Sequence, residues 1–326
     1  MKAPGFWYQP AGPLAALLSP LACLYALGAR RRQAKAAPQG AGIPVICVGN
    51  LVAGGAGKTP VAQAVMRALR ARGVQAHYLS RGYGGRLTGP LRVDPAEHCA
   101  ADVGDEPLLL SRTAPAWISA DRLAGARAAR DGGAQALVMD DGFQNPALAK
   151  DLSLLVVDGG AGFGNGHVIP AGPLREPLAD GLARARAVVI VGADRTGAAV
   201  QVAGLAPTLP ILTARLVPDA AVAAGLAGRP VLAFAGIGRP GKFFDTCREL
   251  GLTMTEALPF PDHHPYAEAE IARLVDRASA LGAVPLTTEK DWVRLPAAYQ
   301  TAIKALPVVL AFDDPAALDR VLGTVS

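Results

Sequence analysis

Lys58 and Thr59 close the stretch Gly49 to Pro60, G-N-L-V-A-G-G-A-G-K-T-P, and their types and spacing suit the handling of a nucleoside triphosphate. The backbone N–H groups of Gly54-Gly55-Ala56-Gly57 can turn inward onto phosphates, Lys58 sets a point charge on the outer ones, and the Thr59 hydroxyl is a ligand for Mg²⁺. The match to the strict pattern is imperfect, because Val52 stands where a glycine is expected and the extra glycine falls at Gly49. An apolar run, Ile43 to Val48, precedes the loop, and Val61, Val65, Met66 and Leu69 follow at helical spacing. A glycine-rich turn without a ligand is the bland alternative. Gly57-Lys58-Thr59 straight after a strand speaks against it.

A second stretch, Ala136 to Gln144 (A-L-V-M-D-D-G-F-Q), is an apolar strand ending in two aspartates. Such a strand end is where a phosphate-loop protein keeps the carboxylate that holds Mg²⁺. Strand alternation sends Asp140 and Asp141 to opposite sides, so one of them is expected to face the metal. Asp262-His263-His264 lacks a third clustered soft ligand for zinc, which leaves a general base as the functional reading and a satisfied structural histidine as the default for one of the two. Arg81, in S-R-G-Y-G-G, is either a solvated charge or a phosphate clamp. Asp105 and Glu106 open a helical segment, where acidic residues ordinarily serve as caps. The run Gly159 to Pro177, containing Asn165 and Arg175, is too rich in Gly and Pro for regular structure and reads as a functional loop.

The elements needed to position these groups alternate between strand and helix. The chain has 326 residues, 51% of them hydrophobic, enough for two domains with real cores. A parallel α/β sheet like that of P-loop NTPases is expected over 36–217, a smaller α/β lobe over 218–326, and a membrane-associating segment over 1–35. Within this scheme 195–225 reads as linker and crossover. The net charge of +5 comes from scattered arginines, and no zinc knuckle or RNA-binding signature is present, so nucleic acid is not an expected partner. The four cysteines are far apart and read as reduced cytosolic thiols.

The N-terminal run, Phe6-Trp7-Tyr8 and then Leu14 to Leu27 before Arg30-Arg31-Arg32, is shorter than a bilayer span and is interrupted by Pro13 and Pro20. Three readings compete. A signal peptide would carry its positive charge before the apolar run rather than after it. A core helix is the plain structural reading. An interfacial helix, with aromatics among the headgroups and arginines on anionic lipid, accounts for the most residues and is the expectation carried forward.

Taken in order, G-N-L-x-x-G-G-x-G-K-T-P, S-R-G-Y-G-G, V-G-D-E-P, D-D-G-F-Q, P-A-G-P-L-R-E-P, F-P-D-H-H-P-Y and T-E-K-D-W-V-R-L resemble the tetraacyldisaccharide 4′-kinases, the lipid A kinases of Gram-negative bacteria. The resemblance runs from the N-terminal apolar segment to about Leu295. It implies transfer of the γ-phosphate of ATP, with Mg²⁺, to the 4′-hydroxyl of an acylated disaccharide 1-phosphate at the cytoplasmic face of the inner membrane, giving lipid IVA. It implies that Lys58 and Thr59 hold ATP and Mg²⁺, that Asp140 with Asp141 completes the metal site, and that Asp105 pairs with His263 to take the hydroxyl proton, His264 being the reserve. Arg81, Glu106, Gln144, Asn165 and Arg175 are the candidates for holding the acceptor. Members often carry a histidine after D-D-G-F-Q, and Asn145 stands there instead.

The rival class is a regulatory or partitioning NTPase. Its signature lysine would fall at Ala53. A GTPase would carry N-K-x-D, which Thr288-Glu289-Lys290-Asp291 matches only superficially. A noncatalytic nucleotide-binding surface protein is the third option, and it would leave Asp105, Asp140 and His263 free to vary.

Overall fold

The computed structural model describes residues 3–324, so residues 1, 2, 325 and 326, the ends of the first and last expected segments, lie outside the described residues. Eight strands come first: β1 (Val45–Gly49), β2 (Ala76–Ser80), β3 (Leu91–Arg92), β4 (Ala116–Ile118), β5 (Ala136–Asp140), β6 (Leu152–Asp158), β7 (Ala187–Val191) and β8 (Ile211–Pro218). A second sheet follows with β9 (Pro230–Ala235), β10 (Thr253–Pro259), β11 (Val284–Thr288) and β12 (Lys304–Leu306), and the chain then makes β13 (Val308–Phe312). The large sheet has nine strands in the order β13-β8-β7-β6-β1-β5-β2-β4-β3, and the small one four in the order β10-β9-β11-β12. The large sheet is parallel except at its two edges, where β13 and β3 run antiparallel to their neighbours.

Every residue of β1, β2, β5, β6 and β7 is buried, as expected of parallel strands covered by helices on both faces. In the small lobe the period-2 rule divides β9 cleanly. Val231, Ala233 and Ala235 join one apolar cluster with Phe243 and Cys247, while Leu232 and Phe234 join another with Ile271 and Leu274. The helices Pro240–Glu249 and Glu268–Ala280 supply those partners from opposite sides of the sheet.

Two differences from the sequence expectations concern the edges. Residues 211–218, read as linker, form β8, whose burial alternates because it lies near the sheet's edge. Residues 308–322, read as part of the smaller lobe, return to the large sheet: β13 pairs with β8, and Leu310, Leu318 and Leu322 pack into the large core. The chain therefore crosses between the lobes twice.

The N-terminal segment also differs. It is one helix, Pro13–Lys35, of 23 residues. Pro13 occupies its first turn, where no N–H is needed, and Pro20 is accommodated inside it. By length and composition it could cross a membrane, with a mean hydropathy of 1.3 over its most apolar window. In the structure one face, carrying Ala15, Leu18, Ala22 and Ala26, is turned inward, and Leu18, Ala22 and Ala26 pack on the large core, while Leu14, Leu17, Leu21 and Leu24 on the other face are exposed.

Candidate active site

The phosphate loop leaves the centre of the large sheet between β1 and the helix Lys58–Ala71. Gly49 is required by packing: a Cβ there would stand 2.5 Å from that of Phe143. Gly57 has φ +83°, a left-handed turn that lets the helix start with its N–H groups facing the loop. Asn50 ties the loop to itself, donating to the carbonyls of Val52 at 2.9 Å and Gly54 at 3.2 Å. The irregular segment 159–177 braces it from outside, with Ala53 N donating to Pro173 O at 2.8 Å and Arg175 N to Leu51 O at 2.7 Å.

β1 and β5 are hydrogen-bonded neighbours in register, Val48 opposite Asp140, so the aspartates arrive beside the loop. Asp140 is buried, and its Oδ2 accepts from the Thr59 hydroxyl at 3.1 Å. Its Oδ1 is buried without a hydrogen-bond partner among the described residues. Burial, together with the Glu106 charge, pushes this carboxyl up to about 7. Asp141 departs from the expected alternation: with φ +56° it turns out of the strand and aims its carboxylate back at the loop. It meets Lys58 Nζ at 3.5 Å and Arg175 Nη1 at 3.2 Å. Burial opposes its charge, and the two cations override that, holding the carboxyl below its usual range. Both aspartates thus face the loop, but Asp141 is neutralised by side chains whereas Asp140 has an oxygen to spare.

The second cluster joins the lobes. Gly104, with φ +90°, brings the helix Asp105–Ser111 against the Gly82–Tyr83 backbone, where any Cβ would meet Tyr83 O at 2.5 Å. Asp105 opens that helix, buried, and its Oδ2 lies 2.9 Å from His263 Nδ1. An ionised carboxylate only accepts, so Nδ1 carries the proton and Nε2 is the basic nitrogen. His263 has φ +57°, a conformation that costs a non-glycine residue energy and persists where surrounding structure enforces it. Its N–H donates to Gly236 O at 3.0 Å. Burial works against the Asp105 charge; the His263 hydrogen bond, Lys290 and Arg294 outweigh it and hold the carboxyl low.

His264 is placed elsewhere. Its Nε2 meets Glu270 at 2.7 Å, and its ring packs against Phe260 and Tyr266. Glu106 pairs with Lys290 at 3.0 Å. Gln144 bridges Asn50 O at 2.9 Å and Glu176 at 3.1 Å, tying D-D-G-F-Q to the phosphate loop. Asn165 is not drawn into either cluster: its side chain donates to Ala171 O and accepts from His167 N inside its own loop. Arg81 is exposed and lies near Arg122, a residue the sequence did not single out. Arg122 is buried, its Nε has no partner among the described residues, and burial with the neighbouring Arg81 charge lowers it to about 10. Its signal was positional, since it follows the C-terminal end of β4, the edge at which open α/β sheets bind ligands. Lys290 and Arg294 sat inside a quoted motif without a role.

A family model described as tetraacyldisaccharide-1-P 4′-kinase, LpxK, matches residues 14–326. A protein of Rhodospirillum centenum named tetraacyldisaccharide 4′-kinase is 62% identical over 327 residues, covering 99% of this chain and 96% of that one. A protein of Rhodospirillum rubrum with the same name is 55% identical, covering 99% and 97%. A crystal structure of LpxK from Aquifex aeolicus in complex with ATP superposes with a TM-score of 0.73 at 26% identity, covering 96% of this chain and 99% of that one.

Proposed function

The chain belongs to the tetraacyldisaccharide-1-P 4′-kinase family, and on that premise we propose how its own residues carry out the reaction. The enzyme is a lipid kinase of lipid A biosynthesis: it transfers the γ-phosphate of ATP to the 4′-hydroxyl of tetraacyldisaccharide 1-phosphate, giving lipid IVA. Phosphoryl transfer asks a protein mainly for positioning and neutralisation of charge.

The loop N–H groups and Lys58 bind the phosphates. Arg175 holds Asp141 toward the loop, and Arg122, the buried cation with an unused N–H, offers charge to the transferred group. The unpartnered Asp140 Oδ1 beside the Thr59 hydroxyl is an oxygen donor set that fits a hard cation, so Thr59 and Asp140 would hold Mg²⁺, with Asp141 nearby. When bound, Mg²⁺ supplies neutralisation of the triphosphate's charge. His263 Nε2 takes the proton of the 4′-hydroxyl, while Asp105 fixes the tautomer and stabilises the imidazolium that results. Glu106, Gln144 and Arg81 are the candidates for orienting the acceptor. Asn165 acts through the loop that braces the phosphate site.

The observation that carries this reading is the Asp105–His263 contact, an ionisable pair formed between residues 158 positions apart, one from each lobe. The test is transfer of radiolabelled γ-phosphate to tetraacyldisaccharide 1-phosphate in detergent micelles. Lipid-dependent product that collapses in Lys58→Ala supports the assignment. Nucleotide hydrolysis indifferent to the lipid would sink it in favour of a regulatory NTPase.

We further propose that the enzyme works on the cytoplasmic surface of the inner membrane, seated by the exposed Leu14, Leu17, Leu21 and Leu24 stripe with Arg31, Arg32 and Lys35 at the helix's end. An acceptor whose acyl chains stay in the bilayer requires such a seat. Wild type should float with anionic vesicles, and a Leu17→Asp/Leu24→Asp variant should stay in the soluble fraction. Equal flotation of the two would refute the stripe as the anchor.

A further inference from the structure

The motif T-E-K-D-W-V-R-L, which the reaction as described leaves unused, lies directly behind the Asp105–His263 pair. It begins at the end of β11 and turns into the short helix Glu289–Trp292. Asp291, fully buried, is the hub: it accepts from Gly236 N at 2.8 Å, from the Tyr266 hydroxyl at 2.8 Å, from the Thr288 hydroxyl at 2.5 Å and from Arg294 Nη2 at 2.5 Å. Arg294 uses the rest of its fork on backbone, its Nε donating to Lys290 O at 3.1 Å and its terminal nitrogens to the pair Gly236 O at 2.8 Å and His264 O at 3.3 Å. Those two carbonyls flank the strained His263, whose own N–H also ends on Gly236 O.

Two cations of this motif then cross to the other lobe. Lys290 Nζ lies 3.9 Å from Asp105 Oδ2 and 3.0 Å from Glu106 Oε1. Arg294 Nε lies 3.7 Å from the same Asp105 oxygen. One buried carboxylate of the large lobe is therefore docked into three groups of the small one. A buried carboxylate with a histidine as sole partner would have a strong reason to take the proton itself, and the imidazole would lose its fixed tautomer.

We propose that Lys290 and Arg294 are positioning residues for the transfer step: they converge on Asp105, keep it an acceptor for His263 Nδ1–H, and lock the two lobes in register at the pair. This rests on the Asp105–His263 reading above. The groups around the pair are Glu106 from the helix Asp105–Ser111, which meets Lys290, Asp262 of the histidine's own loop with Oδ2 3.9 Å from Nε2, the Tyr83 ring at 6.0 Å, and the two cations that meet Asp105. Removing a positive charge from that set favours the protonated imidazole. A base that holds its proton more tightly stays idle up to a higher pH.

The experiment compares wild type, Lys290→Met, Lys290→Gln and Lys290→Arg in the radiolabel transfer assay across pH, with melting temperatures to confirm folding. Lys290→Met keeps the stem and loses the charge. It is expected to lower kcat about tenfold, leave KM for ATP within about twofold, and move the acidic limb of the kcat profile up by about half to one pH unit. Lys290→Gln should behave alike, and Lys290→Arg should restore most of the rate and the wild-type limb. In a His263→Ala background the Lys290→Met change should cost less than about twofold more, because a residue acting through the pair has nothing left to position. Folded Lys290→Met and Lys290→Gln enzymes with wild-type kcat and superimposable profiles would overturn the proposal while leaving the pair intact. A His263→Ala enzyme as active as wild type would overturn the pair itself, a result the Lys290 variants alone cannot mimic.

Discussion

Thr59 and Asp140 meet because β1 and β5 are adjacent strands of one sheet, whereas Asp105 and His263 meet only because two lobes pack together. In the first region the register Val48 opposite Asp140 is a property of the ladder, and the loop's braces all come from the same lobe or the loop beside it. In the second, the partners are 158 residues apart and the histidine sits in a left-handed conformation held by Gly236. The phosphate site is therefore preorganised by the backbone. The Asp105–His263 pair is conditional on docking. On the proposed reading, a kinase built this way would bind ATP without being committed to transfer and would assemble its base only with the lobes in place.

The contrast predicts two kinds of damage at the top of the scale. Lys58→Ala strikes the preorganised region and should lower kcat/KM on the order of 10³-fold or more, with weakened ATP binding. His263→Ala strikes the conditional one and should lower kcat by about 10²- to 10⁴-fold with ATP affinity unchanged within about twofold. Equilibrium nucleotide binding alongside turnover separates them. Loss of ATP binding in His263→Ala would mean that the two regions are one.

Asp140 sharpens the comparison from the side of stability. Burial pushes its carboxyl up to about 7, against roughly 4 in an unfolded chain. Without metal the folded protein therefore holds a proton between those values that the unfolded chain has released. Its contribution to stability is whole below about pH 4, falls as pH rises toward 7 and is flat above. Asp140→Asn removes this dependence. In EDTA at about pH 7.5 the variant should be more stable than wild type by roughly 1–3 kcal/mol, and at about pH 4 the difference should vanish, while transfer activity falls on the order of 10²-fold. Melting curves that stay parallel across this range would show that the buried carboxylate carries no such cost.

The same contrast explains what the sequence disclosed. The phosphate loop was legible because its glycines, lysine and threonine are contiguous and their spacing is the mechanism. β5 was legible because a fully buried strand is a continuous apolar run. The fate of Asp141 was not, since alternation holds only inside a strand and φ +56° ends it. β8 was obscured by Pro210 and Pro218 at its ends and by the polar residues of its exposed positions. Nothing local to 308–312 tells that it leaves the small lobe to pair with β8. Pro20 read as an interruption because its missing N–H is a local fact, while the helix that contains it is held partly by Leu18, Ala22 and Ala26 against the body of the protein. Arg122, Lys290 and Arg294 needed three dimensions: the roles proposed for them rest on being buried or on what they face across the lobes, and a sequence prints neither.

The smallest effect tests docking without touching the chemistry. Asp158, at the end of β6, forms a second bridge between the lobes: Lys242 Nζ lies 2.6 Å from it and Arg239 pairs with the same oxygen, both from the helix following β9 or the turn before it. The carboxylate is buried, but the cations are substantially exposed, so the bridge should contribute only about 1 kcal/mol, roughly fivefold in the docking equilibrium. Asp158→Asn is expected to lower kcat by about two- to fivefold with an unshifted pH profile, and added salt up to about 0.5 M should bring the wild type down toward the variant by screening the same bridge. A loss as large as that of His263→Ala would place Asp158 in the chemistry instead. No loss at all, in either salt, would mean that Asp105 and the groups around it hold the lobes together unaided, and that docking and base assembly are a single event.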